Sequence, residues 1–349
     1  MVLVEKRTRL SGSSYNERGS FSALCLNSFR NIEVSKYNKM VKRLIKFGIG
    51  LGILLYLIYS FDFRAIINAI SHTDPIFIML SLMVYSFTFL ILTIRWRIIL
   101  SNMGITIPLY PAYRILAGGI LLSDLTPSRL GEFARPYLAR RYIDTASGFA
   151  SVVFDKYVDV STILFLSGLG YVLFYFNRMI NMDFSYIYIW FSILLLMFFF
   201  GSISLWIRRR QTIDFLRNIF ISLHVSHFKI LTTFDESMGR INNPIKLFVL
   251  CLSLTILSWA TQALRITLIA SAIGYSPPFA FLILLLPITA ALSLIPVSIS
   301  GLGFVEAGVA ALLSLFGIPL YAGISIALLD RGITFLFHVT IGSKYAMDL

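Results

Sequence analysis

The chain has 349 residues, of which 57% are hydrophobic and only 13% charged, and its mean hydropathy is +0.81. A water-soluble protein of this size could not bury so much apolar surface, so the composition excludes a soluble globular protein and predicts a membrane protein. We attribute the net charge of +13 to cytoplasmic loops that face anionic lipid, and we expect no nucleic-acid binding. The two cysteines and four histidines form no pattern of metal ligands, so we expect neither a metal nor a cofactor.

The chain begins with a polar, basic segment, residues 1–40, whose lack of apolar periodicity predicts a disordered tail. Apolar runs long enough to cross a bilayer follow it. The six predicted spans are Ile45–Phe61, Ile76–Arg95, Tyr157–Phe176, Tyr186–Ile207, Leu247–Ala272 and Leu320–Ser343. The predicted organisation is the tail at 1–40, a first membrane repeat with the first span of a second repeat at 41–207, a cytoplasmic amphipathic segment at 208–246, and the remainder of the second repeat at 247–349.

Two further apolar segments, Ala112–Arg141 and Phe279–Phe316, are interrupted near their middles by Pro and Gly. The first contains the stretch LTPSRLGEF. Basic residues flank this segment on both sides, which predicts a re-entrant hairpin that enters from the cytoplasm and returns to it. The residues counted for this orientation are Arg95, Arg97, Arg114, Arg135, Arg140, Arg141 and Lys156. The second segment is then a hairpin that enters from the outside, and both chain termini are cytoplasmic.

Three patterns recur in the same order in the two halves of the chain. The stretch IRWRIILSNMGI corresponds to LRITLIASAIGY, LTPSRLGE corresponds to LIPVSISGLGFVE, and VFDKYVD corresponds to LLDRGIT. The separation from Glu132 to Asp155 is 23 residues, and that from Glu306 to Asp330 is 24. With three spans and one hairpin in each half, the second half would be inserted upside down, as in the inverted repeats of secondary transporters.

The broken segments free backbone polar groups that lipid cannot satisfy, so each break must be buried in protein or line a wet cavity. The predicted hinge residues are Pro127, Gly131, Pro296, Gly301 and Gly303. Charged side chains near these breaks are costly in a membrane, which favours either ion pairs or a ligand site. The candidate substrate-binding residues are Thr126, Ser128, Arg129, Glu132, Arg135, Asp155, Lys156, Asp159, Ser298, Ser300, Glu306, Asp330 and Arg331. Arginine suits a phosphate headgroup, whereas the glutamates suit a proton, the arginines of an empty site or a cationic headgroup.

The stretches LTPSRLGEFARPYLARR, SVVFDKYVDV and SGLGFVEAG resemble the flippase-like membrane domain of lysylphosphatidylglycerol synthases over roughly Lys42 to Leu349. They also resemble stand-alone membrane proteins that share this domain and the membrane half of some archaeal polyprenyl-lipid glycosyltransferases. The resemblance implies movement of aminoacylated phospholipid or polyprenyl-linked lipid between leaflets. Because no soluble synthase domain follows in this sequence, we expect no lysyl transfer.

We therefore expect a multi-pass cell-membrane protein that translocates an anionic or polyprenyl-linked lipid and is not an enzyme. The alternative is a membrane accessory subunit of a lipid- or glycan-modifying enzyme. An enzyme that acts on lipid-linked sugars or phosphates is a third hypothesis. The expected partners are membrane lipids, and a second copy of the chain or a lipid-modifying enzyme stays open as a protein partner.

Overall fold

The computed structural model describes residues 63–126, 129–176, 193–194, 196–201, 239, 241, 243–294 and 298–346. These residues are overwhelmingly helical, which confirms the predicted all-α membrane fold. The tail, the predicted span Ile45–Phe61, most of the predicted span Tyr186–Ile207 and nearly all of the amphipathic segment lie outside the described residues. So do Pro127, Ser128 and Pro296.

The helices follow one another along the chain with short connections. They are α1 (Phe63–Ser71), α2 (Pro75–Asn102), α3 (Leu109–Asp124), α4 (Arg135–Leu138), α5 (Thr145–Phe176), α6 (Pro244–Ala272), α7 (Phe279–Ala291), α8 (Phe304–Ser314) and α9 (Leu320–Ala346). Short 3₁₀ helices at Leu130–Ala134 and Leu292–Leu294 lie at the two helix breaks.

Three described helices are long and apolar enough to cross a membrane, namely Pro75–Asn102, Pro244–Ala272 and Leu320–Ser343. Helix α5 is also long, with 32 residues, but it carries three charged side chains in its first half. The predicted spans Ile76–Arg95 and Tyr157–Phe176 had the wrong bounds, because α2 continues to Asn102 and α5 begins at Thr145. Both errors arose where a charged residue was taken to end a span.

Helices α2 and α6 pack against each other in antiparallel fashion. The Asp74 N–H donates to the Ala272 carbonyl at 3.2 Å, and the Thr88 hydroxyl donates to Thr261 Oγ1 at 2.8 Å. Contacts thus move toward the start of α6 as they move along α2. Both helices end in the same way, with a glycine in the left-handed region, Gly104 (φ 80°) and Gly274 (φ 95°).

The other helices pack reciprocally between the two halves. Helix α3 of the first half packs on α9 of the second, and α7 of the second half packs on α5 of the first. A glycine permits close approach at each interface, since a Cβ at Gly342 would lie 2.6 Å from the Ala117 carbonyl oxygen and one at Gly170 would lie 2.9 Å from Leu284 Cβ. This exchange, together with the antiparallel α2–α6 pair, supports the inverted repeat, which stays a prediction, as does the number of spans.

Candidate functional site

The first half of the chain holds a closed ring of alternating acids and bases, which we call the first ion-pair ring. Each member contacts one oppositely charged neighbour on either side, so three positive and three negative charges balance. The ring runs from Glu132 through Arg135, Asp155, Arg95, Asp159 and Lys156 back to Glu132.

Asp155 lies at the centre of the buried side of this ring. Its Oδ1 is 2.7 Å from Arg95 Nη2, and its Oδ2 accepts a hydrogen bond from Arg135 Nη1 at 2.8 Å. All three side chains are at most 3% exposed. Arg95 also reaches Asp159 Oδ1 at 2.5 Å. Buried guanidinium groups need such paired carboxylates, because removing a single partner leaves an uncompensated charge.

The accessible side of the ring is formed by Lys156. Its Nζ lies 2.8 Å from the Glu132 carboxylate and 2.9 Å from Asp159 Oδ2. Glu132 also pairs with Arg135. The Lys156 and Asp159 side chains are 28% and 25% exposed, so this edge can meet a ligand or solvent without opening the buried side.

The second half holds two separate pairs, which we call the second ion-pair set. Arg265 Nε and Nη2 donate to the two oxygens of Asp330 at 2.6 and 3.1 Å. Arg331 Nη1 donates to Glu306 Oε1 at 2.8 Å, and its Nη2 donates to the Ser300 carbonyl at 2.9 Å.

The two helix breaks meet each other. The Ser300 N–H donates to the Thr126 carbonyl at 3.3 Å, and the Thr126 hydroxyl accepts from the Gly131 N–H at 2.8 Å. Thr126 precedes Glu132 by six residues, as Ser300 precedes Glu306. A continuous run of contacts therefore joins the first ion-pair ring, through the two breaks, to Arg331.

Each break depends on glycine for a different reason. A Cβ at Gly131 would lie 2.1 Å from the Leu122 backbone carbon, so the chain can double back on the end of α3 only with glycine there. Gly301 and Gly303 instead have left-handed backbones, with φ of 71° and 83°. The Gly303 N–H at the start of α8 donates to Glu306 Oε2 at 2.7 Å, so Glu306 satisfies a donor that the break leaves free.

Two polar groups at the breaks have no such partners. Arg129 is exposed, has a left-handed backbone (φ 55°), and forms no ion pair with any carboxylate that the structure describes. Ser298 is fully buried, and its hydroxyl has no hydrogen-bond partner. The Ser123 hydroxyl, at the end of α3, is also buried and unpartnered.

The structure corrects the use of three basic residues in the orientation argument. Arg95 and Arg135 are buried, and Lys156 belongs to the first ion-pair ring, so none of them is a free loop charge. Arg95 was missed as a site residue for this reason. Its correspondence with Arg265 in the internal repeat was the signal that could have placed it inside a helix.

Sequence reasoning also missed a buried chain of hydrogen bonds beside the second ion-pair set. His338 Nδ1 lies 2.6 Å from Asp124 Oδ2, and its Nε2 is hydrogen-bonded to the Tyr85 hydroxyl. The Arg265 guanidinium lies over the Tyr85 ring, 4.6 Å from its centroid. An ionisable residue inside the predicted span Leu320–Ser343 was the signal for His338. Within the described ranges, no cluster of three or more His, Cys, Asp or Glu residues could hold a metal ion.

Comparison with known proteins places this geometry in a family. The chain is similar to UPF0104 membrane proteins of three archaea, at 21% identity over 319 residues in Methanocaldococcus jannaschii (87% of this chain, 94% of the relative). The identity is 25% over 323 residues in Methanothermobacter thermautotrophicus (84% and 90%) and 23% over 324 residues in Pyrococcus horikoshii (86% and 96%). A family model described as the lysylphosphatidylglycerol synthase TM region matches residues 43–342. That match spans both ion-pair clusters and both helix breaks, so the chain belongs to the lysylphosphatidylglycerol synthase TM region family.

Proposed function

We propose that this protein moves the headgroup of an anionic phospholipid or a polyprenyl phosphate, with or without an aminoacyl group, across the cell membrane. The headgroup passes between the two helix breaks, and its tails stay in lipid. The family description names the membrane region of a lipid-modifying synthase, which supports a lipid as the cargo.

The observation that carries the proposal is the unpaired Arg129 at the junction of the breaks. Lys156 and Arg331 already have carboxylate partners, and Arg135 is buried between two of them. Arg129 alone among these site cations is exposed without an ion pair in the part of the chain that the structure describes. A guanidinium offers two parallel donors to a phosphate, which makes Arg129 the first phosphate contact.

Neighbouring groups then complete the headgroup site. The buried Ser298 hydroxyl lacks an acceptor, and a buried unsatisfied donor costs about 1–3 kcal/mol, which a phosphate oxygen would recover. Arg331 is 28% exposed and is held by Glu306, so it can exchange this carboxylate for phosphate as the headgroup advances. Lys156 and Glu132 form the corresponding exchangeable pair in the first half.

The test is lipid translocation by the purified protein in vesicles that contain labelled phosphatidylglycerol or labelled polyprenyl phosphate. The wild type should move at least one of them. Arg129→Gln should slow it roughly tenfold, because a hydrogen bond to a charged group contributes about 1.5 kcal/mol or more. The control is Arg140→Gln, since Arg140 is also exposed but lies outside the site, and its rate should match the wild type.

Two results would contradict this assignment. Equal rates for the wild type and Arg129→Gln would remove Arg129 from the pathway. Failure of the wild type to move either lipid would reject translocation and favour the accessory-subunit hypothesis. In that case, deletion of the protein should lower the activity of a lipid-modifying enzyme that co-purifies with it.

A further inference from the structure

His338 sits between two groups that satisfy both of its protonation states. A carboxylate only accepts hydrogen bonds, so the nitrogen that faces Asp124, Nδ1, carries a hydrogen. The other nitrogen, Nε2, faces a tyrosine hydroxyl, which can either donate or accept. A neutral ring accepts from Tyr85, and a protonated ring donates to it. A proton can therefore arrive or leave without orphaning a buried polar group.

The charges around this histidine leave room for one proton. Asp124 forms no ion pair with any described cation other than His338. Arg265 is held by both oxygens of Asp330, so it does not neutralise Asp124. The charges of Asp124, Arg129, Arg265 and Asp330 all act on the Tyr85 hydroxyl. Arg129 is thus the cation near enough to compensate Asp124 while His338 is neutral.

The position of Asp124 links this site to the helix break. Asp124 is the last residue of α3, and Arg129 follows five residues later, at the other end of the break. His338 comes from α9 and Tyr85 from α2, so the site joins both halves of the protein. A change in charge at Arg129 therefore reaches the histidine through the end of a single helix.

We propose that Asp124, His338 and Tyr85 form a proton-binding site that is coupled to occupation of Arg129 by an anionic headgroup. This coupling rests on the proposed function, whereas the proton site itself does not. A phosphate on Arg129 cancels the charge that compensated Asp124, and a proton from water then binds the lone pair of His338 Nε2 and converts the imidazole to imidazolium. Release of the headgroup returns that proton, so the lipid moves together with a proton.

The proton site can be tested without transport by nuclear magnetic resonance of the full-length protein with ¹⁵N-labelled histidine. The sequence has four histidines, and His338→Gln identifies one resonance. That resonance should change from neutral to protonated between about pH 5 and 8. Added dihexanoyl phosphatidylglycerol should tighten proton binding about fivefold, the lower end of typical couplings between sites. Arg129→Gln should abolish this response.

Two further variants keep the test decisive if His338→Gln does not fold. Tyr85→Phe retains the ring under Arg265 but removes the hydroxyl that faces Nε2, so it should shift the titration. His72→Gln, at an exposed histidine between α1 and α2, should leave it unchanged. A His338 ring that holds one protonation state across this pH range would overturn the proton site. A titration that ignores the added lipid would overturn the coupling.

Transport then separates this inference from the proposed function. In vesicles, the wild-type rate should depend on pH, and Tyr85→Phe and His338→Gln should lose that dependence while His72→Gln keeps it. If the wild type moves no lipid, the proposed function fails, and the titration still decides whether the proton site exists. If every variant moves lipid with the same pH dependence, translocation stands and the coupling is rejected.

Discussion

The two halves of this protein place charges at corresponding positions, yet the first builds a closed ring and the second builds two separate pairs. Four positions correspond in the two halves, namely Arg95 with Arg265, Glu132 with Glu306, Asp155 with Asp330 and Lys156 with Arg331. The same pairings recur, since Arg95–Asp155 matches Arg265–Asp330 and Lys156–Glu132 matches Arg331–Glu306.

Two residues make the difference. Arg135 and Asp159 close the first ion-pair ring, and by the same repeat spacing their counterparts in the second half are Val309 and Thr334, which carry no charge. Without them the second ion-pair set stays open, and Arg331 fills its remaining donor with the Ser300 carbonyl. The comparison teaches that the first half is a rigid anchor, whereas the second can exchange partners.

The largest expected effect compares Asp155→Asn with Asp330→Asn. Loss of the Asp155 charge leaves two buried arginines short of a carboxylate, which should cost about 3–5 kcal/mol of unfolding free energy. The Asp330 side chain is 21% exposed and serves one arginine, so its loss should cost about half as much. Denaturant unfolding of the detergent-solubilised protein measures both. Equal losses would show that the closed ring adds no rigidity.

An intermediate effect is expected from Gly131→Ala in the first helix break. The new Cβ would lie 2.1 Å from the Leu122 backbone carbon, and the backbone shift that it forces should cost about 1–3 kcal/mol. The control is Gly332→Ala, where no heavy atom lies within 4 Å and the helix should gain slightly from alanine. Thermal unfolding of both variants checks this prediction. Wild-type stability in Gly131→Ala would remove the close approach from the account of this break.

The smallest expected effect is that of Arg331→Lys. A lysine can keep the pairing with Glu306 but cannot reach the Ser300 carbonyl in the same geometry, because its donors leave a single nitrogen. The loss of one hydrogen bond should cost about 1 kcal/mol. Arg140→Lys, at an exposed arginine, should cost nothing measurable in the same unfolding assay. If Arg331→Lys is equally silent, the second set is looser than the hydrogen bonds indicate.

Much of this arrangement was predictable. The apolar composition determines an all-α membrane fold, and the Pro and Gly in LTPSRLGEF and its counterpart mark the helix breaks. The recurring glycine of the first repeat pattern proved to be a helix terminus at both Gly104 and Gly274. The charge patterns of the repeat also identified Glu132, Asp155, Glu306 and Asp330 as members of a common site.

Other features were not predictable from local sequence. A basic residue at the end of an apolar run reads as a loop residue, and only packing shows that Arg95 points at two carboxylates of another helix. Tyr85 and His338 are 253 residues apart, so no local pattern signals their contact. The contact of Thr126 with Ser300 depends in the same way on how two distant segments meet.

By itself, the sequence determined where this chain must be apolar, where its helices must break, and which charges needed partners, because each of these follows from the local cost of placing a group in lipid. The tertiary structure decided which acid meets which base, and that Arg129 is left over. Pairing depends on the distances between side chains from different helices, and those distances exist only once the halves have packed against each other.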